Sequence, residues 1–239
     1  MPATTVAIAP CGDAALRVTL EGTDTDRVWT AVHRLARWLN RGAIHPSVTA
    51  VPTYDAVLVE FDPYHAAGEA IASRIRSWDS ADGDLGATTG AVLDVPVLFG
   101  GEAGPDLDWV AEVVGRTADE VVGLLCSEER LIRCLGGPAA SAMMDGPPFG
   151  TPVPRLATPR LQVPPGAVSV AGLQAVIGPV AAPSGWRQIG RTPLDILRAD
   201  PDADTVVPYR PGDRVRFLPI DEVAYARLRG TPMRYRADG

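Results

Sequence analysis

The chain contains no lysine, and all 22 of its basic residues are arginine. Without an ammonium side chain there is no P-loop Lys, no Schiff-base or pyridoxal-phosphate anchor and no biotinyl attachment point. Histidine is almost as scarce. The three are His33, His45 and His65, all in the first third of the chain, and no two have the i, i+4 spacing of a helical metal pair. The three cysteines, Cys11, Cys126 and Cys134, show no metal-ligand spacing and read as reduced thiols packed as small apolar residues. No run of about 18 apolar residues occurs, and the N-terminus has no basic segment leading into an apolar stretch, so a soluble, cytoplasmic protein without membrane contact is expected. Acidic residues number 29 and the net charge is −7. That balance argues against a nucleic-acid partner, which would call for a basic surface. The arginines of the last thirty residues read as a solvated edge.

What is present points to a globular α+β protein. Hydrophobic residues make up 46% of 239, enough for a core, while 24 Gly and 23 Pro favour turns and short strands over a helical bundle. Ala14–Leu20 reads as a strand. Asp24–Asn40 reads as a helix, with Val28, Val32, Leu35 and Leu39 on one face and Gly42 at its end. Ser47–Thr53 and Asp55–Phe61 form a hairpin, Tyr64–Trp78 a second helix, and Ala91–Phe99 a further strand after the polar link Ser80–Gly90. The order β-α-β-β-α-β is that of a ferredoxin-like unit. A short helix over Asp106–Val114 follows, then a capping box at Thr117-Ala-Asp-Glu120 opening a helix to about Ser127. From Gly136 the composition turns to Gly, Pro and Ala, so the domain boundary is expected there: residues 1–135 as the ferredoxin-like domain with a helical extension, residues 136–239 as a small β-barrel. Gly166–Gly172, Gln174–Gly178, Trp186–Gly190 and Asp213–Ile220 are its strands, with one helical turn at Pro193–Arg198.

Several strings occur together in one order: GDAALRV, HPSVTAVPTYDAVLVEFDP, VPVLFGGEAGPDLDWVA, TADEVVGLL, LATPRLQVPPGAVSVAGLQ, APSGWRQIGRTPLDIL and YRPGDRVRFLPI. The set resembles the carboxyltransferase-domain family that includes the B subunit of 5-oxoprolinase, the first subunit of allophanate hydrolase and a sporulation-kinase inhibitor. The resemblance implies a ferredoxin-like domain followed by a cyclophilin-like barrel. It also implies a hydrolase function, the ATP-dependent opening of a lactam or hydrolysis of a related amide. That work is done by a hetero-complex, in which the partner is a second cyclophilin-like chain, the C-type subunit. ATP is used by the assembly, and no cofactor or metal is expected in this chain.

Arg160, Gln174, Trp186, Arg191 and Thr192, on the matching barrel motifs, are the candidate substrate-binding residues, and Glu102 of Gly100–Leu107 is the best acid in the N-terminal half. Paired arginines can hold a carboxylate or phosphate by bidentate hydrogen bonds, or equally tie loop carbonyls together. The Gly100–Leu107 segment can cradle an anion or cap the next helix through Asp106. No catalytic residue is assigned.

The family's pattern places a His at the end of the helix aligned with Thr117–Ser127, where this sequence has Leu125. An aromatic-rich segment is replaced by Gly136–Met144, and Pro-Gly-Gly-Trp reads Pro183-Ser184-Gly185-Trp186. Leu125, Met143 and Met144 are accordingly expected to line an enlarged, apolar pocket, with the ancestral proton shuttle gone. Three readings stand: a lactam- or amide-hydrolysing subunit, a repurposed enzyme such as a cyclase of secondary metabolism, and a non-catalytic inhibitor of a kinase.

Overall fold

The structure, a computed structural model, describes residues 5–79, 90–198 and 205–236. The chain divides into two compact units, Met1–Ala87 and Thr88–Gly239.

In the first unit, β1 (Thr5–Pro10), β2 (Ala15–Glu21), β3 (Thr49–Pro52) and β4 (Ala56–Glu60) form an antiparallel sheet in the order β1-β2-β4-β3. Two helices, α1 (Thr25–Asn40) and α2 (Gly68–Arg76), bury their apolar faces in one core with this sheet. Leu16, Val18 and Leu20 alternate onto the core side of β2 and meet Val32, Leu35 and Leu39 of α1 and Ile71 and Ile75 of α2. Helix α1 starts where the Asp24 carboxylate accepts from the Arg27 N–H (3.1 Å). It stops where Gly42, at φ +78°, donates its N–H to the Leu39 carbonyl (3.0 Å). The second helix is shorter than the periodicity predicts, because Asp62 first takes the Tyr64 N–H (2.9 Å) and the His65 ring (2.7 Å) into a turn.

The expected β-α-β-β-α-β sheet is not formed. The strand at Val92–Phe99 belongs to the second unit, and the place beside β2 is taken by β1, a strand that the residue pattern does not announce. The β1–β2 hairpin closes through a short turn, with Gly12 at φ +72° and the Cys11 N–H donating to the Ala15 carbonyl (2.8 Å). Such a local closure costs far less chain entropy than one spanning the whole unit. Of the link Ser80–Gly90, only Gly90 lies within the described residues.

The second unit is a closed seven-stranded barrel in the order β10-β7-β6-β13-β5-β12-β9. Its strands are β5 (Val92–Phe99), β6 (Arg130–Gly136), β7 (Ser141–Asp145), β9 (Ala167–Ala171), β10 (Gln174–Ile177), β12 (Arg187–Arg191) and β13 (Arg214–Pro219). A two-stranded sheet, β8 (Arg160–Val163) with β11 (Ala182–Ser184), stands apart from it. Helices α3 (Leu107–Val114) and α4 (Ala118–Cys126) pack into the barrel core through Val110, Val114, Val121 and Leu125. The division of the chain therefore falls near residue 88 and not near residue 135, since β5, both helices and β6 share one core with the later strands. The capping box that opens α4 is complete: Thr117 Oγ1 accepts from the Glu120 N–H and the Glu120 carboxylate accepts from the Thr117 N–H.

Two local expectations are corrected. Gly136–Met144, where the domain boundary was expected, holds the turn and most of the second strand of a β6–β7 hairpin. The turn puts Ala139 and Ala140 at φ +52° and +61°, and the Tyr209 hydroxyl donates to the Ala140 carbonyl (3.1 Å). Pro193–Arg198 is not helical, because Asp195 spends its backbone groups laterally, donating to Thr231 (2.9 Å) and accepting from Met233 (2.8 Å). The terminal helix is α5 (Glu222–Leu228), capped by the Asp221 carboxylate on the Ala224 N–H (2.8 Å). Among the described residues, no helix is long and apolar enough to cross a membrane.

Candidate functional site

Period-two alternation on three adjacent strands gives the barrel two different faces. Ala142 and Met144 of β7, Val168 and Val170 of β9, and Ala175 and Ile177 of β10 fill the core. Their neighbours Met143, Ser169 and Val176 point the other way, and the pairing register sets Met143 opposite Val176 and Val176 opposite Ser169. This row forms one wall of a cavity of about 380 Å³, closed further by Val163, Ala182 and Trp186. The Trp186 backbone N–H donates to Ser184 Oγ (3.1 Å), and Ser141 Oγ donates to the Pro138 carbonyl (3.0 Å) at the β6–β7 turn. The Arg155 guanidinium lies 5.4 Å from the Trp186 ring centroid, a cation–π distance. Among the described lining residues there is no carboxylate, imidazole, thiol or phenol. The cavity can hold an apolar or planar body against Trp186, Met143 and Val176 with one cation at hand, but its own side chains supply no general acid or base near neutral pH.

A second constellation ties three of the family-like strings together. Asp106, buried, accepts from both terminal nitrogens of Arg160 (2.6 and 2.8 Å) and from the Gln188 N–H (2.7 Å). Burial pushes its carboxyl up, but these hydrogen bonds and the charges of Arg160 and Arg187 outweigh that and hold it below the ordinary carboxylate range. Arg187 sits 3.7 Å from the carboxylate, its guanidinium 3.4 Å above the Trp109 ring. Gln188 Nε2 donates to the Ala103 carbonyl (2.7 Å). Gly104 belongs to the same knot, since a Cβ there would fall 1.9 Å from the Ile189 carbonyl oxygen. Asp106 therefore does not cap α3 with its side chain, and Arg160 is engaged by Asp106 rather than free for a ligand.

The other predicted residues separate. Trp186 and Met143 line the 380 Å³ cavity. Leu125 and Met144 do not: both are fully buried in the barrel core. Alternation in β7 sends Met144 inward as surely as it sends Met143 outward, and Leu125 faces the core from α4. Arg191 and Thr192 line a different cavity, the Arg191 Nε–H donating to the Pro165 carbonyl (2.9 Å). Gln174 is half-buried at the start of β10, and Glu102 is exposed in the turn before α3. Sequence reasoning misses Arg155, Ser141, Ser169 and Val176. The serine in the otherwise apolar run Ala167–Ala171 is the one signal that would have pointed outward from the core. The Cys126 and Cys134 thiols are pushed up to about 11 by burial and serve as packing groups, not nucleophiles.

Residues 6–207 match the carboxyltransferase domain family, subdomain C and D. The chain belongs to this family. Among the family's curated members it is 27% identical over 228 residues to the B subunit of 5-oxoprolinase from Bacillus subtilis (strain 168), covering 91% of this chain and 94% of that protein. It is 34% identical over 197 residues to the corresponding 5-oxoprolinase chain, again the B subunit, of Escherichia coli O157:H7, covering 82% and 86%. Among solved structures it resembles TTHA0988, at 27% identity and a TM-score of 0.71, covering 87% of this chain but only 40% of that one.

Proposed function

We propose that the chain is the ligand-binding subunit of a 5-oxoprolinase-like hetero-complex, a hydrolase assembly acting on a lactam or amide with a more apolar body than 5-oxoproline. The observation that carries this reading is the cavity floored by Trp186, with Met143 and Val176 on its wall, Arg155 beside it and no carboxylate, imidazole, thiol or phenol among its described lining residues. A pocket of that kind binds and orients. Protonation of a leaving nitrogen and coupling to ATP then fall to a partner, for which a cyclophilin-like chain of the C-type is the first candidate. The names of the curated relatives support assembly with other subunits, and a cytoplasmic location goes with an ATP-using complex. In this reading the barrel is cyclophilin-like, and the first unit is a ferredoxin-like variant with β1 in the place of its last strand.

Reconstitution with a cyclophilin-like C-type subunit and an ATP-using subunit tests the proposal. Lactam-dependent ATP hydrolysis is expected with alkyl- or aryl-substituted lactams and little with 5-oxoproline, and none with this chain alone. Full turnover by the isolated chain would overturn it. A second reading, a repurposed enzyme such as a cyclase of secondary metabolism, is favoured by the same apolar wall. It predicts saturable binding of an apolar metabolite and no lactam-dependent ATP hydrolysis under any combination of partners.

A further inference from the structure

Trp186 immediately precedes β12, and Arg191 ends it. Beyond that end lies a separate cavity of about 480 Å³, to which, among the described residues, Arg191, Arg198 and Arg229 contribute three guanidinium groups and Asp195 one carboxylate. Each arginine is placed by the backbone beside it. The Thr192 N–H donates to the Gly166 carbonyl (2.9 Å), the Arg198 N–H to the Val206 carbonyl (2.9 Å) and the Gly230 N–H to the Pro193 carbonyl (3.1 Å). Arg191 is fixed further by its Nε–H on the Pro165 carbonyl, which leaves both terminal nitrogens unspent. Arg229 follows directly on the C-terminal end of α5, where the helix carbonyls favour a cation.

Among the described residues, no carboxylate forms an ion pair with any of these three arginines. The chain has 29 acidic residues against 22 arginines, so three guanidinium groups gathered around one cavity run against its overall charge. Like charges gathered at one concave surface repel each other and raise the local potential for an anion. Guanidinium forks match phosphate oxygens bidentately, and three of them suit a terminal dianion better than the two oxygens of a carboxylate. Tyr225 and the exposed Leu197 add an apolar wall for the rest of a ligand.

We propose that this cavity is a binding site for a phosphate monoester of a small, partly apolar molecule, distinct from the Trp186 cavity. The test uses the full chain, labelled for NMR, titrated at constant ionic strength with phenyl phosphate, inorganic phosphate, benzoate and phenol. Phenyl phosphate is expected to saturate and to shift the amides of Thr192, Arg198 and Gly230 while leaving those of Met143 and Val176 in place. Inorganic phosphate should give the same pattern more weakly, and phenol none. Arg198→Gln and Arg229→Gln, both at exposed positions, should each weaken phenyl phosphate by about tenfold or more, the value of one charge-assisted hydrogen bond. No saturable shift at millimolar phosphate ester overturns the site. So do shifts centred on Met143 and Val176, or affinity unchanged in the double variant. Benzoate binding as tightly as phenyl phosphate would overturn the phosphate class.

Discussion

Arg160 reaches across 54 residues of sequence to clasp Asp106, one terminal nitrogen on each carboxylate oxygen at 2.6 and 2.8 Å. The pair joins the loop ahead of α3 to the start of β8, and Gln188 of β12 completes it from a third direction through its N–H. Arg160, which looks like a ligand-binding group in the sequence, and Asp106, which looks like a helix cap, are thereby spent on each other.

Replacing Asp106 by Asn should destabilise the protein by about 3 kcal/mol or more, since it leaves a half-buried guanidinium without its partner. The effect depends on pH. Because the folded-state carboxyl is held below its unfolded value, its contribution is fully present above the unfolded pKa of about 4 and is lost as pH falls through the lower folded value. Urea denaturation of wild type and D106N should therefore show a wide gap in stability at neutral pH that narrows steadily in acid.

Leu125→His restores the residue type expected at that position from the family's pattern, yet it should not restore any activity. Leu125 is fully buried among apolar side chains of the barrel core. An imidazole there loses packing and buries an unsatisfied polar group, at a cost of about 3 kcal/mol or more. Thermal unfolding should show a clear drop in Tm, and assays of the reconstituted complex should show no gain with 5-oxoproline.

Gly136→Ala is expected to reshape the Trp186 cavity without unfolding the barrel. A Cβ at Gly136 would come within 2.7 Å of the Met143 sulfur. That sulfur is the far end of a flexible side chain, so it shifts instead of clashing with backbone. An apolar ligand of the cavity should bind more weakly to G136A, read by titration calorimetry, while the circular dichroism spectrum stays unchanged. Trp186→Ala should weaken the same ligand further.

Thiol titration offers a direct check of the packing. Cys11 is exposed, whereas burial pushes Cys126 and Cys134 up to about 11. At pH 8 a thiol-specific reagent should modify Cys11 alone in the native protein and all three cysteines in denaturant. Rapid native modification of Cys134 would contradict its place in the core.

The elements with strong local signals were legible in the sequence. The apolar stripe of α1, the Thr117–Glu120 box and the β9 and β10 runs all form where their residues indicate. What escaped were pairings decided elsewhere in the chain. The strand Val92–Phe99 reads equally well as the last strand of one sheet or the first of another, and only its partners Arg214–Pro219 and Gly190–Arg191 decide. β6, with two arginines among its apolar residues, has no clean alternation until Arg130 and Arg133 find partners: Arg130 donates to the Leu124 and Leu125 carbonyls and Arg133 to Asp145. The cavity was half visible for the same reason. Trp186 stands out by type, but the choice of Met143 over Met144 follows from strand direction, which Gly136–Met144 hides behind its Gly-Pro-Ala-Ala turn.

The parallel pairing of β5 with β13 joins the first strand of the second unit to its last, Leu93 opposite Val215. During synthesis, the sheet of the first unit has all its strands once the ribosome has passed Glu60. The barrel must wait. Until Arg214–Pro219 leaves the exit tunnel, β5 has an open edge and the apolar residues Leu93, Val95 and Val97 have no complete core to enter. A chain cut short between those two strands would carry a barrel that cannot close.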